Sequence, residues 1–376
     1  MRAVGIILAG GKSERLGELT AVRATCAMPV GGCYRAIDFT LSNMSNSGIK
    51  KVAVITQYNS RSLHDHLSSA KWWDFGRKQG GLFVFTPFGA SDTSYWFRGT
   101  ADSIYQNISF LKRSNEQYVV IASGDGVYKA DYDDVIDYHI KKEADITIAC
   151  KTLPAGTDVR DYGVLELGAD MRLIDFEEKP IEPQGSTISI GIYVVSRILL
   201  IKLLETITME ARYDFVRDVI CRYRKKLKMY GYMYDGYWSN INCVNKYYET
   251  NMDFLKPEVR RLFLGSEPFI ETKPKDEPPA KYNRGSEARD CLVGSGSILN
   301  GYIESSVLFR KVFTGENSAI KRSIIMEGCY IGNNCYLENS ILDKEVIISD
   351  GKRIVGTPDH PVILRKNSLI YNDMRN

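Results

Sequence analysis

The sequence predicts an α/β domain with a mixed, mostly parallel sheet, followed by a C-terminal left-handed parallel β-helix. Three observations carry this. The chain opens with Val4-Gly5-Ile6-Ile7-Leu8-Ala9-Gly10-Gly11, an apolar strand that runs into a glycine turn. Strand-like and helix-like segments then alternate over residues 1–255, the pattern of a parallel sheet covered by helices. From Cys291 to Ile354, apolar positions recur every five or six residues, which stacks side chains into a narrow core.

In an open α/β sheet, the loop after the first strand lies at the carboxyl edge, where ligands bind. The loop Gly10-Gly11-Lys12-Ser13-Glu14-Arg15 combines two residues without Cβ and two cations, a composition suited to an anion such as phosphate. It matches neither GxGxxG nor GxxxxGK[ST], which argues against dinucleotide binding and a P-loop ATPase.

Val52–Thr56, Leu82–Phe85, Gln117–Ala122, Ala144–Ala149 and Ser189–Val195 read as strands, and 199–205 and 213–228 as helices. Residues 256–288 contain Pro257, Pro268, Pro274, Pro278 and Pro279 among charged residues and read as a linker with little regular structure. Residues 289–376 form the repeat domain, in which Ile331-Gly332-Asn333-Asn334-Cys335-Tyr336-Leu337 is the clearest hexad. Stacked solenoids of this kind leave faces and ends open for oligomerisation.

Composition narrows the function. A net charge of +3 over 376 residues does not point to nucleic acid. No apolar run is long enough for a membrane span, and residues 1–9 lack the features of a secretory leader, so a cytoplasmic location is expected. The eight cysteines form no CxxC pair and read as buried small apolar residues, and His64-x-His66 is too sparse for a metal site.

Three clusters carry chemistry. Val119–Asp125 is an apolar strand ending in Ser123-Gly124-Asp125. Asp125 either holds Mg²⁺ against nucleotide phosphates or caps the following helix. In Asp175-Phe176-Glu177-Glu178-Lys179-Pro180 the proline ends a strand, and Lys179 could bind a phosphate as a point charge. Tyr237-Trp238-Ser239-Asn240 places aromatic residues beside short polar ones, as a sugar site does. Arg222–Lys228 reads as a solvated helix face, and Trp72-Trp73 as core or as a stacking lid.

Together these segments resemble the glucose-1-phosphate adenylyltransferases (ADP-glucose pyrophosphorylases). The resemblance runs collinearly through Leu8–Gly11 with Arg15-Leu16, Tyr34–Asn43, Asn46–Ile49, Gly99–Asn107, Gly124–Lys129, Phe176–Pro180, Ser189–Tyr193, Asp214-Phe215 and Gly236–Trp238, and into the repeat tail. It implies a Rossmann-like nucleotidyltransferase domain and a reaction in which a phosphate oxygen of glucose 1-phosphate attacks the α-phosphorus of ATP and expels pyrophosphate. That chemistry needs alignment and charge neutralisation rather than a side-chain nucleophile. Carried over by position, Gly10, Gly11 and Arg15 would meet the ATP phosphates and Gln106 the base. Lys179 would hold the sugar phosphate, and Gly163, Glu178, Ser189, Asp214 and Trp238 would form the rest of the sugar site. Arg15 and Asp125 would be the catalytic residues, with Asp125 a ligand of Mg²⁺.

Four departures from the family pattern lie at the phosphate and metal end. Asn240 stands where active members have a second metal aspartate, Ser13 where they have glycine, Thr25 where they have lysine, and Gly126 where histidine is usual. An amide at position 240 leaves one negative charge missing beside the metal, so Mg²⁺ binding to this chain is in doubt. These departures imply a non-catalytic, regulatory-type subunit of a bacterial glycogen-synthesis enzyme. It would pair with a catalytic adenylyltransferase subunit in a heterotetramer, or form a homo-oligomer through the β-helix. Its ligands would be ATP, glucose 1-phosphate or an allosteric sugar phosphate, with no nucleic acid and no membrane. The alternative is an active sugar-phosphate nucleotidyltransferase. A β-helix acyltransferase is disfavoured, because the repeat carries no histidine and His360 lies after it.

Overall fold

The computed structural model describes residues 2–11, 13–76, 80–87 and 96–371. Lys12, one of the two cations read in the opening loop, lies outside them. Contacts divide the chain into two compact units: Met1–Gly11, Phe39–Ser60 and Leu67–Trp238 form one, and Lys12–Asp38, Arg61–His66 and Ser239–Asn376 the other.

The first unit is built on a nine-stranded sheet of β1 (Ala3–Leu8), β2 (Lys51–Ile55), β3 (Gly81–Phe85), β4 (Tyr118–Ser123), β5 (Ile146–Thr152), β6 (Gly163–Leu167), β7 (Leu173–Glu178), β8 (Thr187–Ser196) and β9 (Met229–Met233). The order is β7-β6-β8-β4-β1-β2-β3, with β5 joining β8 to β9. β1 pairs in parallel with both β2 and β4, so the chain leaves the sheet centre in both directions and the tip of β1 is a topological switch point. β8 runs antiparallel to β4, β5 and β6, and β7 antiparallel to β6; the remaining strands share one direction. The sheet is therefore mixed and mostly parallel. Its central strands read as unbroken apolar runs because both faces are covered, and Val4, Ile6, Val119 and Ile121 are buried together with Leu200, Leu204 and Ile207 of the helix Arg197–Met209.

The strands expected from sequence are all present within two residues at most ends. The segment 213–228 differs. It is helical over residues 215–223 only, and the core of that helix, Val216–Cys221, is π-helical. Trp73 is core and Trp72 is partly exposed beneath Lys71. Of the eight cysteines, Cys26, Cys150, Cys329 and Cys335 are buried, whereas Cys33, Cys221, Cys243 and Cys291 are only half-buried; all eight carry free thiols.

The second unit contains three parallel sheets whose strands stack coil upon coil, from Lys281–Tyr282 to Leu369–Ile370. In register, Ile303, Ile320, Leu337 and Ile354 align on one sheet, and Leu308, Ile325, Leu342 and Leu364 on another. These columns fill the narrow interior, which is the parallel β-helix expected from the hexads. Within the segment read as a linker, Pro257–Leu264 is an α-helix with proline in its first turn, where a missing N–H costs nothing. Its Phe263 stacks on Phe254. Arg23 and Asp343 form a fully buried ion pair at 2.7 Å, and Tyr247 donates to the carbonyl of Pro29 at 2.8 Å, so residues 12–38 are locked into this unit.

Candidate functional site

In the first unit the expected residues gather at strand ends. Gly10 and Gly11 come directly after β1. Among the described residues, a Cβ at Gly10 would make only ordinary contact with Gln57, and one at Gly11 would meet no atom within 4 Å. Asp125 lies just past β4 and accepts a hydrogen bond from the Ser123 hydroxyl. The chain then enters a short strand, Gly126–Tyr128, so Asp125 does not cap a helix. A Cβ at Gly126 would lie 2.8 Å from the Tyr128 ring, which is fully buried and bonded to Thr40 and Tyr132. The place of the usual histidine's first side-chain atom is therefore crowded by a fixed tyrosine.

The residues expected to meet a sugar form a second cluster. Gly163 opens β6 opposite Glu178, which closes β7. A Cβ on Gly163 would come within 2.3 Å of the Phe176 ring and 3.1 Å of the Glu178 carboxylate. Gly163→Ala is expected to displace both side chains and lower stability by about 1–3 kcal/mol, measurable by thermal denaturation.

Lys179 has φ +52°, a left-handed conformation rare for lysine, and its N–H bonds the Tyr162 carbonyl at 3.1 Å. Burial pushes the Glu178 carboxyl upward and the charge of Asp214 adds to this, while Lys179 and Arg217 oppose it. Glu178, Lys179, Asp214 and Arg217 thus share one electrostatic environment.

Ser189 is buried on β8 and hydrogen-bonds Tyr193 at 3.1 Å. The register of β8 against β5 shifts between Ser189 and Ile192 around Gly191 at φ +75°, a bulge that re-aims Ser189. Trp238 meets Tyr162 edge-on at 5.6 Å, and its indole N–H is buried without a partner among the described residues. An aromatic wall with an uncommitted donor suits a hydroxylated ring. Gln106 donates to Asp102 at 2.8 Å. Sequence reasoning missed Tyr162, Tyr193 and Asp218. Tyr162 carried a local signal, preceding the glycine of Asp161-Tyr162-Gly163, and Tyr193 closes the motif Ser189–Tyr193.

The second unit holds Ser13, Arg15, Thr25 and Asn240. The Ser13 hydroxyl donates to the main-chain carbonyl of Asn242, and its own carbonyl accepts from the Thr20 hydroxyl at 3.1 Å. The side chain that glycine would lack thus fastens the loop to the segment after Asn240. Arg15 is exposed, on a 3₁₀ stretch running Glu14–Thr20. Thr25 is buried, and its hydroxyl has no partner among the described residues.

For Mg²⁺, which one or two protein carboxylates suffice to hold, Asp125 offers one carboxylate, and position 240 carries a neutral amide. His66 is engaged with Asp38 at 2.5 Å.

The second unit also has a cavity of about 210 Å³ lined by Arg35, His66, Lys273, Lys275, Arg310 and Lys344, with Glu327 among them. Although burial alone would raise it, the Glu327 carboxyl is held down at about 2 by Lys275 and Lys344, the latter 2.9 Å away. Among the described residues, no helix is long and apolar enough to cross a membrane.

Residues 4–257 match the nucleotidyl transferase family, and residues 278–360 match the GlmU-like C-terminal hexapeptide family. The chain is 38% identical over 357 residues to the glucose-1-phosphate adenylyltransferase of Bacillus cytotoxicus, covering 93% of this chain and 94% of that protein. It is 37% identical over 356 residues, with the same coverage, to the proteins of that name from Bacillus cereus and Bacillus anthracis. A nucleotidyl transferase match over residues 4–257, a hexapeptide match over residues 278–360 and 37–38% identity along 93% of its length show that the chain belongs to the glucose-1-phosphate adenylyltransferase family.

Proposed function

We propose that this chain is the regulatory, catalytically deficient subunit of a glucose-1-phosphate adenylyltransferase, acting in bacterial glycogen synthesis beside a catalytic paralogue in a heterotetramer. The observation that carries this reading is where the losses fall. Ser13, Thr25, Gly126 and Asn240 all depart from the family pattern at the phosphate and metal end, while Glu178, Lys179, Ser189 and Asp214 keep the sugar end.

Local structure supports it. The Ser13 hydroxyl is committed to Asn242, the Thr25 position is buried, and Tyr128 crowds the place of a side chain at Gly126. In the family reaction, ATP and glucose 1-phosphate give ADP-glucose and pyrophosphate, and rate comes from neutralising the phosphates. Loss of a cation at 25 and of a carboxylate at 240 removes that neutralisation while leaving recognition of a sugar phosphate in place. The cationic cavity of the second unit adds a further place for a phosphorylated effector.

Assayed alone with Mg²⁺, ATP and glucose 1-phosphate, the purified chain is expected to release pyrophosphate at least about a hundredfold more slowly than a catalytic paralogue, since catalytic electrostatic groups contribute on that scale. Mixing the two is expected to change the paralogue's rate or its effector response. Ordinary turnover by the isolated chain would establish instead the active-enzyme reading, which the retained Asp125 and Lys179 favour.

A further inference from the structure

We infer that Thr100 and Asp102 are positioning residues that clasp the segment Tyr213–Phe215, fix Asp214 for the sugar and tie it to Gln106. The inference rests on the reading that Asp214 receives the sugar of a sugar phosphate.

All the groups lie in the first unit. The helix Thr100–Gln106, here α1, begins against the carbonyl of Tyr213, which accepts the N–H of Ala101 at 2.8 Å and that of Asp102 at 3.1 Å. The approach is so close that a Cβ on Gly99 would sit 2.4 Å from the same carbonyl oxygen. The Thr100 hydroxyl accepts the N–H of Phe215 at 2.8 Å and faces the Asp214 carboxylate at 3.4 Å. From the other side, one carboxylate oxygen of Asp218 accepts the N–H groups of both Tyr213 and Asp214, each at 2.9 Å.

Three consecutive main-chain amides are therefore held by side chains, although most backbone groups find backbone partners. The segment's shape is imposed from outside, and it leads directly into the π-helical turn Val216–Cys221, a geometry that recurs at functional sites. With Asp214 Oδ1 taken by the N–H of Arg217 at 2.8 Å, the carboxylate has one fixed orientation.

Asp102 extends the clasp. Its fully buried carboxylate receives the main-chain N–H of Arg98 at 2.8 Å, the Arg98 guanidinium at 3.1 Å and the Gln106 amide at 2.8 Å. One side chain thus orients Gln106 while its own backbone N–H holds Tyr213. Arg98 closes the arrangement by lying over the Tyr213 ring, 3.7 Å from its centre.

The test uses the full chain and calorimetric titration with glucose 1-phosphate. Thr100→Val keeps the shape but leaves the buried Phe215 amide without its acceptor. It is expected to weaken binding about tenfold, the scale of one lost hydrogen bond with an orphaned partner. Thr100→Ser, which keeps the hydroxyl, should bind within about twofold of the parent. Without ligand, hydrogen exchange of a peptide spanning 212–219 should be faster in Thr100→Val and unchanged in Thr100→Ser, at similar melting temperatures. Should Thr100→Val fail to fold, Thr100→Ala replaces it in both measurements.

Asp214→Ala separates the two levels of the argument. If it loses binding while Thr100→Val binds normally, or if Thr100→Val and Thr100→Ser lose binding equally, the clasp is overturned and the sugar reading stands. If the parent does not bind, or Asp214→Ala binds as tightly as the parent, the reading of Asp214 falls and the inference falls with it.

Discussion

Replacing Arg23 by methionine is expected to destabilise the second unit by about 3–5 kcal/mol, the largest stability effect of any single substitution considered for this chain. Arg23 and Asp343 lie 2.7 Å apart with side chains 4% and 0% exposed, so neither charge is solvated. Asp343 gains only the Lys344 amide besides, and its Oδ2 has no partner among the described residues. Removing the guanidinium would leave a carboxylate in a dry interior. Removing both charges avoids this, so Arg23→Met with Asp343→Leu should recover most of the loss. Urea denaturation of the four proteins of this cycle measures the coupling. Equal destabilisation by the single and double variants would show that packing, not charge, sets the effect. Arg23 also reaches the sulfur of Met326, so a flexible apolar replacement suits the site.

The Arg23–Asp343 pair shows which parts of this molecule its sequence displays and which it hides. The β-helix was legible because Ile331, Leu337 and their equivalents recur at a fixed local spacing, and stacking requires no more. The central strands were legible for the same reason: β-branched runs such as Val119–Ile121 are buried on both faces. At the candidate site, Asp125 and Lys179 were marked by their place directly after apolar strands; that β7 runs opposite to β4 is a non-local pairing the sequence does not display.

The hidden features depend on distant partners. Nothing near Arg23 announces Asp343, so the grouping of Lys12–Asp38 with the β-helix had no local signal. Nothing near Thr100 announces that its hydroxyl serves Phe215. The turn at Val216–Cys221 is set by Asp218 bonding back to Tyr213 and Asp214, which periodicity does not reveal. Pro257 marked an interruption in the chain. Proline equally begins a helix, and here the apolar Val259 and Phe263, buried on one face of Pro257–Leu264, decide for the helix.

Asn240→Asp combined with Thr25→Lys is expected to raise pyrophosphate release by at least about tenfold over the parent chain, if the losses at the phosphate end are what silences it. The two changes return one carboxylate and one cation, the groups that neutralise the transferring phosphates. Asn240→Asp alone should give Mg²⁺-dependent thermal stabilisation in the presence of ATP with little turnover, because a metal carboxylate without the cation supplies affinity more than rate. The lysine has a structural cost. Thr25 is 5% exposed with an unbonded hydroxyl, and a longer charged side chain there must reach polar surroundings or displace its neighbours. A lower melting temperature for Thr25→Lys is therefore expected, and ATP with Mg²⁺ should restore part of it by neutralising the ammonium. Recovery is expected to remain well below that of a catalytic paralogue, because two obstacles stay. Ser13 still fastens the loop to Asn242, and a histidine at Gly126 would force the buried Tyr128 ring to move. Adding Ser13→Gly to the double variant should release the loop and raise turnover further. A triple variant no faster than the parent would overturn the assignment of a catalytic deficit to these positions.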